Sequence, residues 1–168
     1  MALSLYNISI PTVIKGLRNL AAVLERGRAY ADESGIPHAK LLEARLFPDM
    51  LPLTGQIQRA SDTAKLMAVR IGGVANVPMA DSEITFDDLQ KRIAATIAFL
   101  EAVPAKAIDG NEDTEVILPA GSMQRHYTGQ TYVLEFALPN FFFHVTTAYD
   151  LLRHSGVPVG KRNYLGWE

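Results

Sequence analysis

The sequence contains no cysteine, so disulfide bonds, thiolate catalysis and cysteine-ligated zinc are excluded. It has no cluster of lysine and arginine and a formal net charge of -2, which argues against a nucleic-acid-binding surface. No apolar run has the length of a membrane span, and the N-terminus lacks a basic start followed by an apolar signal core. We therefore expect a cytoplasmic protein that binds neither nucleic acid nor membrane.

Common catalytic motifs are missing as well. The sequence has no phosphate-binding glycine loop, no Gly-x-Ser-x-Gly, no His-Glu-x-x-His and no paired Glu-x-x-His of a di-iron bundle. What is present is the composition of an ordinary globular protein, with 48% hydrophobic and 20% charged residues. A chain of 168 residues can bury a core without disulfides, so we expect one domain over residues 1–168.

Four stretches carry apolar residues three and four positions apart, the spacing of a helix with one buried face. The first runs from Ser4 to about Ala31 and contains Pro11. Either Ser9 caps a helix that starts near Pro11, or a longer helix begins at Ser4 and bends at the proline; the periodicity favours the longer helix. Gly35 and Pro37 end it.

The other three stretches follow the same pattern. The second is stopped by Gly72-Gly73, and the third starts at a capping box formed by Thr85 and Asp88. Their core-facing residues are Leu53, Ile57, Ala60, Ala64, Met67 and Ile71 in the second helix, Phe86, Leu89, Ile93, Ile97 and Leu100 in the third, and Leu134, Leu138, Phe141, Val145, Ala148 and Leu152 in the fourth. Four such helices predict an all-α protein of the four-helix-bundle class.

A short segment between the third and fourth helices has a different composition. Glu115–Leu118 and Met123–Tyr127 flank Pro119-Ala120-Gly121-Ser122, a pattern typical of a β-hairpin. An isolated hairpin is only marginally stable in water, so we expect it to pack on the bundle or on a partner.

A polar row lies beside the apolar face of the fourth helix. Asn140, His144 and Thr147 are spaced four and three residues apart, so they line up along the helix. The second helix has a comparable row, in which Asp49, Gln56 and Thr63 are seven apart. Polar groups at the border of a core need hydrogen-bond partners, a metal or a pocket. His144 is therefore either a core histidine held by its neighbours or a ligand or acid–base group.

Three segments carry a resemblance to a known family. They are residues 138–157, Leu-Pro-Asn-Phe-Phe-Phe-His-Val-Thr-Thr-Ala-Tyr-Asp-Leu-Leu-Arg-His-Ser-Gly-Val, together with Ala44–Met50 and Gln56–Gln58. The chain resembles an uncharacterised family within the DinB/YfiT-like superfamily of metalloenzymes. The resemblance implies a four-helix bundle, often dimeric, in which three histidines hold a divalent metal such as nickel or zinc.

The resemblance places the three metal-ligand positions at Gln56, Asn140 and His144, so only one of the three is a histidine here. Amide oxygens suit hard cations better than zinc or nickel. Three alternatives stay open: a degenerate metal site, a weak site completed by Asp49 or water, and a pocket that binds a small polar molecule. The ligand-pocket residues that we predict are Gln56, Asn140, His144, Asp49 and Thr147, with at most one divalent metal on His144.

Two functions are compatible with these residues. The favoured one is a non-catalytic bundle that binds a small molecule or acts as a homodimer, because two of the three histidines that the resemblance implies are absent. Phe141, Phe142 and Phe143 point in three directions, so one of them must reach a cavity or an interface. The alternative, implied by the resemblance, is a divalent-metal-dependent enzyme of the thiol-transferase type.

Overall fold

The structure is a computed structural model, and it describes residues 3–167. The chain is mostly helical with a small antiparallel two-stranded sheet, as predicted. Its elements in chain order are α1 (Leu5–Ser34), α2 (His38–Leu42), α3 (Leu53–Gly72), α4 (Phe86–Glu101), α5 (Ala105–Ile108), β1 (Glu115–Ala120), β2 (Met123–Thr128), α6 (Gly129–Thr131), a π-helical segment (Tyr132–Ala137), α7 (Leu138–His154) and α8 (Lys161–Leu165).

The four long helices enclose the core. Helix α1 packs against α4 and α7, and α3 packs against the same two helices, so each long helix has two long neighbours. Their inward faces carry fully buried side chains such as Leu17, Leu24, Ile57, Leu89 and Phe141. Burying side chains of this size from several helices at once is the main source of stability when helices pack together. In the part of the chain described, no helix combines the length and apolar character needed to cross a bilayer.

The predicted starts of the first and third helices agree with the structure. Ser4 caps α1, its side chain accepting a hydrogen bond from the Asn7 backbone N–H at 3.3 Å, and Pro11 lies inside the helix. At α4 the Thr85 hydroxyl accepts from the Asp88 N–H, and the Asp88 carboxylate accepts from the Thr85 N–H, both at 3.1 Å. Each contact satisfies a backbone donor that the helix itself leaves free.

The core-facing stripe predicted for the start of the fourth helix is wrong by one residue. Leu134 is 46% exposed, whereas Val133 and Ala137 are buried. The π-helical segment explains the shift, because its i→i+5 hydrogen bonds turn the chain less per residue than an α-helix does. Pro139 follows directly and has no N–H to donate to the carbonyl four residues earlier, which disfavours an unbroken α-helix here.

The hairpin lies between α5 and α6 and uses one face to join the core. Its register pairs Glu115 with Thr128 and Ala120 with Met123. Val116 and Leu118 are buried, while Ile117 between them is 43% exposed. This alternation is that of a strand with one face packed on the protein, which supplies the support a lone hairpin lacks.

Candidate functional site

The polar row of α7 faces α3, and two cross-helix hydrogen bonds join them. The Asn140 side-chain amide donates to the Thr63 hydroxyl at 2.8 Å, and His144 Nδ1 lies 2.8 Å from Gln56 Oε1. Gln56 and Thr63 are two turns apart on α3, and their partners are one turn apart on α7 in the reverse order. The two helices therefore run antiparallel along this row, with His144 near the start of α3.

Gln56 determines the proton position on His144. The Gln56 side chain is buried, and its Nε2 donates to the Leu51 carbonyl at 3.0 Å. This bond orients the amide so that Oε1 faces His144, and an amide oxygen can only accept. His144 Nδ1 must then carry the proton and donate it. In the neutral ring, Nε2 is the nitrogen that keeps the lone pair.

The surroundings of His144 favour the neutral ring. Partial burial lowers the pKa of His144 below its ordinary value of 6.5, and the positive charge of Arg59 lowers it further. The Phe143 ring stands edge-on to the imidazole, with ring centroids 5.2 Å apart. At neutral pH the site therefore offers an uncharged imidazole nitrogen that can accept a hydrogen bond or a proton.

The other two predicted pocket residues are held differently. The buried Thr147 hydroxyl donates to the Phe143 carbonyl of its own helix at 2.7 Å. Asp49 is exposed in the turn before α3. No hydrogen bond connects either side chain to Gln56, Asn140 or His144 within residues 3–167.

The residues of the row do not fit the three-histidine metal centre that the resemblance implies. The hydrogen bond between Gln56 Oε1 and His144 Nδ1 leaves Nε2 as the one possible metal donor of His144, and the Asn140 amide is bonded to Thr63. No group of three or more His, Cys, Asp or Glu side chains placed to hold a metal occurs among the described residues. One imidazole nitrogen with neutral amides is a poor donor set for zinc or nickel.

A second polar region, which the sequence analysis missed, surrounds Arg92 on α4. Its side chain is only 1% exposed. The guanidinium contacts Asp62 at 2.8 Å, Glu83 at 2.9 Å and Asp81 at 3.0 Å, and it also donates to the Ala80 carbonyl at 3.1 Å. We call Arg92 with these three carboxylates the Arg92 cluster. It ties α3, α4 and the loop between them together.

Further bonds complete the Arg92 cluster. Gln58 donates to Glu83 at 2.8 Å, and buried Lys65 donates to the Val77 carbonyl of the same loop at 2.7 Å. Burial opposes ionisation of Glu83, but the hydrogen bonds from Arg92 and Gln58 outweigh it, so the pKa of Glu83 is lowered. A signal for this region was present in the sequence, because Arg92 and Thr96 occupy the same helical face as the core residues Leu89 and Ile93.

Comparison with known proteins gives the family. The model of a domain of unknown function, DUF1993, matches residues 5–165. The chain belongs to the DUF1993 family. It is also similar to a solved structure, a DinB family member protein from Shewanella denitrificans, with 35% sequence identity, a TM-score of 0.88, and coverage of 96% of this chain and 92% of that chain. No curated protein matches the chain.

These findings confirm the predicted resemblance to an uncharacterised family within the DinB-like superfamily. The match extends over almost the whole of both chains, so it includes α3 and α7 and the polar row between them.

Proposed function

We propose that this DUF1993 protein is a single-domain, DinB-type four-helix bundle with a non-catalytic role, in which the metal-ligand positions have become a hydrogen-bonded site for a small polar molecule. The observation that carries this proposal is the bond between Gln56 Oε1 and His144 Nδ1, with Gln56 itself held by the Leu51 carbonyl. A cytoplasmic location stays a prediction.

The chemistry of the pair supports binding through a hydrogen bond. Because Nδ1 is occupied by Gln56, a ligand meets His144 through Nε2, which accepts. The lowered pKa of His144 keeps that nitrogen unprotonated at neutral pH. The ligand class that matches is a small molecule with a hydroxyl or N–H group, whereas a cation would find one nitrogen and no carboxylate.

Metal content after exposure to metals tests the proposal first. Tag-free protein is incubated with nickel, zinc, manganese and calcium, passed through gel filtration and analysed by plasma mass spectrometry. We expect far less than one equivalent of any metal. The proposal would be overturned if the native chain and His154→Ala each retained about one equivalent of a metal and His144→Ala did not. That result would support a divalent-metal-dependent enzyme of the thiol-transferase type. His154 is a matched control because it is exposed in the last turn of the same helix.

Ligand binding is tested on the imidazole itself. Small hydroxyl- and amide-bearing compounds are screened by the ¹⁵N chemical shift of His144 Nε2, which moves when this nitrogen accepts a hydrogen bond. We expect hits whose effect is saturable and is absent in Gln56→Leu, where Nδ1 loses its acceptor. Shifts of equal size at His154 would indicate a solvent effect and contradict a defined site.

We also propose that the protein is a homodimer through an apolar surface beside this site. Phe143 is 55% exposed next to His144, and Phe47, Leu46 and Leu51 in the segment leading to α3 are 64%, 40% and 40% exposed. Gln56 bonds both the Leu51 carbonyl and His144, so the segment leading to α3 reaches the site, and exposed apolar side chains there favour a partner surface. In light scattering, we expect the native chain to be a dimer and Phe143→Asp to be a monomer. Ile84→Asp is the control, because Ile84 is also exposed, at 81%, and this variant should remain a dimer. A monomeric native chain would rule the dimer out.

A further inference from the structure

A cavity of about 380 Å³ lies on the other side of α7, between α1, α7 and α8. Its floor is formed by Gly16, Phe142 and Val145, and its outer wall by Tyr164, Leu165 and Trp167. Phe142 precedes His144 by two residues, so it leaves the helix on the opposite side from the polar row. The cavity is therefore separate from the site of the proposed function.

The floor depends on the close approach of α1 and α7. A Cβ at Gly16 would lie 2.6 Å from the ring of Phe141, so a larger residue there would push the two helices apart. With glycine at this position, Phe141 is fully buried, while Phe142 is only partly covered and faces the cavity. The three consecutive phenylalanines thus have three environments, since Phe143 is 55% exposed.

The outer wall is held in place by specific bonds. Asn19 donates from Nδ2 to the Tyr164 carbonyl at 3.0 Å, and the hydroxyls of Thr146 and Tyr164 lie 3.0 Å apart. Gly166 has φ +67°, and a Cβ on it would collide with the Asn19 side chain. These bonds fix the segment around Tyr164 against α1 and α7, so the wall of the cavity is formed without a ligand.

The polar groups of the rim determine the class of ligand. Thr12, Lys15 and Asn19 contribute hydrogen-bonding groups, and Lys15 is the one charged residue among the described residues that line the cavity. Within residues 3–167, Lys15 is not in an ion pair with any carboxylate. The rest of the lining is mainly apolar and aromatic. An apolar body with one negative charge complements this arrangement.

We propose that this cavity binds a small amphipathic monocarboxylate, with its hydrocarbon part between Phe142 and Trp167 and its carboxylate on the Lys15 ammonium. Trp167 reports directly on the site, because it is the only tryptophan in the sequence and lines the cavity. Its indole is 64% exposed, and covering it with a hydrocarbon chain would shift its emission to shorter wavelength.

The test is a fluorescence titration of the full chain with octanoate, and with octan-1-ol and octylamine as probes of equal chain length. We expect a saturable blue shift of Trp167 emission with octanoate at concentrations up to about 10 mM, and affinity at least about tenfold lower for the alcohol and the amine. The absence of a saturable shift, or equal affinity for the three probes, would overturn the proposal.

Charge-reversal variants separate the role of Lys15 from net charge. Lys15→Glu should weaken octanoate binding by about tenfold or more, while Lys106→Glu, on α5 and outside the lining, should leave it unchanged. Equal weakening by both charge reversals would overturn the assignment of the carboxylate to Lys15. A Trp167 shift that follows protein concentration instead of octanoate would identify a second copy of the chain as the occupant and overturn the proposal.

Discussion

The Arg92 cluster and the polar row of α7 are both polar regions inside the same helical core, but they are built in opposite ways. The Arg92 cluster is ionic, and its central guanidinium contacts three carboxylates and a backbone carbonyl. The polar row is formed by uncharged groups, and its two cross-helix bonds join Gln56 to His144 and Thr63 to Asn140. Both regions include α3, which contributes Asp62 to the Arg92 cluster and Gln56 and Thr63 to the polar row.

This difference concerns how much hydrogen-bonding capacity each region leaves unused. A buried charge is tolerated only with full compensation, and the Arg92 guanidinium has its donors occupied by Ser61, the Ala80 carbonyl and the carboxylates. The polar row needs less compensation because its groups are neutral. Gln56 saturates one nitrogen of His144 and leaves the other to accept a bond. Four variants test this contrast.

The largest effect is expected when the Arg92 cluster loses its cation. Arg92→Met leaves Asp62, Asp81 and Glu83 without their shared partner, and removing one side of a buried ion pair costs roughly 3–5 kcal/mol of unfolding free energy. Urea denaturation followed by circular dichroism measures it. Arg59→Met is the control, since Arg59 pairs with two of the same carboxylates but is 48% exposed, and we expect a loss below about 1 kcal/mol. Equal losses of unfolding free energy in Arg92→Met and Arg59→Met would show that burial of the charge makes no difference.

A smaller loss of unfolding free energy is expected from a change in the polar row. Gln56→Leu leaves the Leu51 carbonyl and His144 Nδ1 without their partner, which costs about 1–3 kcal/mol because both are partly buried. The variant should also release His144 from the Nδ1–H tautomer, as seen by ¹⁵N NMR of the ring. Gln124→Leu, an exposed position in β2, serves as the control. An unchanged tautomer in Gln56→Leu would mean that Gln56 does not determine the proton position.

The smallest effect is a difference in pH dependence. The pKa of His144 is lowered from 6.5 in the folded protein, so as pH falls below about neutrality the unfolded chain takes up this proton first. The stability contributed by the neutral ring is therefore present above pH 6.5 and is lost as pH falls toward the folded pKa. His144→Asn should remove this part of the pH dependence, measured as unfolding free energy in steps from pH 8 to 5. If the unfolding free energy of His144→Asn changed with pH as steeply as that of the native chain, this assignment to His144 would be contradicted.

The Arg92 cluster should respond in a separate and more acidic range. The pKa of Glu83 is lowered from 4.5, so its contribution is complete above that value and is lost as pH falls through the folded pKa. Glu83→Gln should change the pH dependence below 4.5 and leave the range near 6.5 unaltered. Coincident ranges for the two variants would indicate that the two regions unfold or titrate as one unit.

Features that depend on neighbouring residues in the chain were predictable. The spacing of apolar residues located the four long helices, and the Thr85–Asp88 capping box marked the start of α4. The hairpin strands were placed to within two residues, since turn residues and alternation are local signals. The alignment of Asn140 and His144 on one side of α7 also follows from helical geometry alone.

The exceptions are one local irregularity and one set of contacts between distant parts of the chain. Leu134 fits the spacing of a regular α-helix, but the π-helical segment before Pro139 rotates it outward. The role of Arg92 depends on Asp62, thirty residues earlier on α3, and on the loop residues Asp81 and Glu83. A charged residue on an apolar helical face is unfavourable without such partners, so helical periodicity alone does not predict that Arg92 is buried.

By itself the sequence determined the helices, the hairpin and the position of His144 in the polar row, because helix and strand formation follow from side-chain spacing and local capping. The tertiary structure alone decided what each polar group faces. It paired His144 with Gln56 across 88 positions of sequence and Asn140 with Thr63 across 77, and it closed a cavity with the segment around Trp167. The physical reason is that hydrogen bonds and cavities depend on distances between packed helices, which are set only when the whole core is assembled.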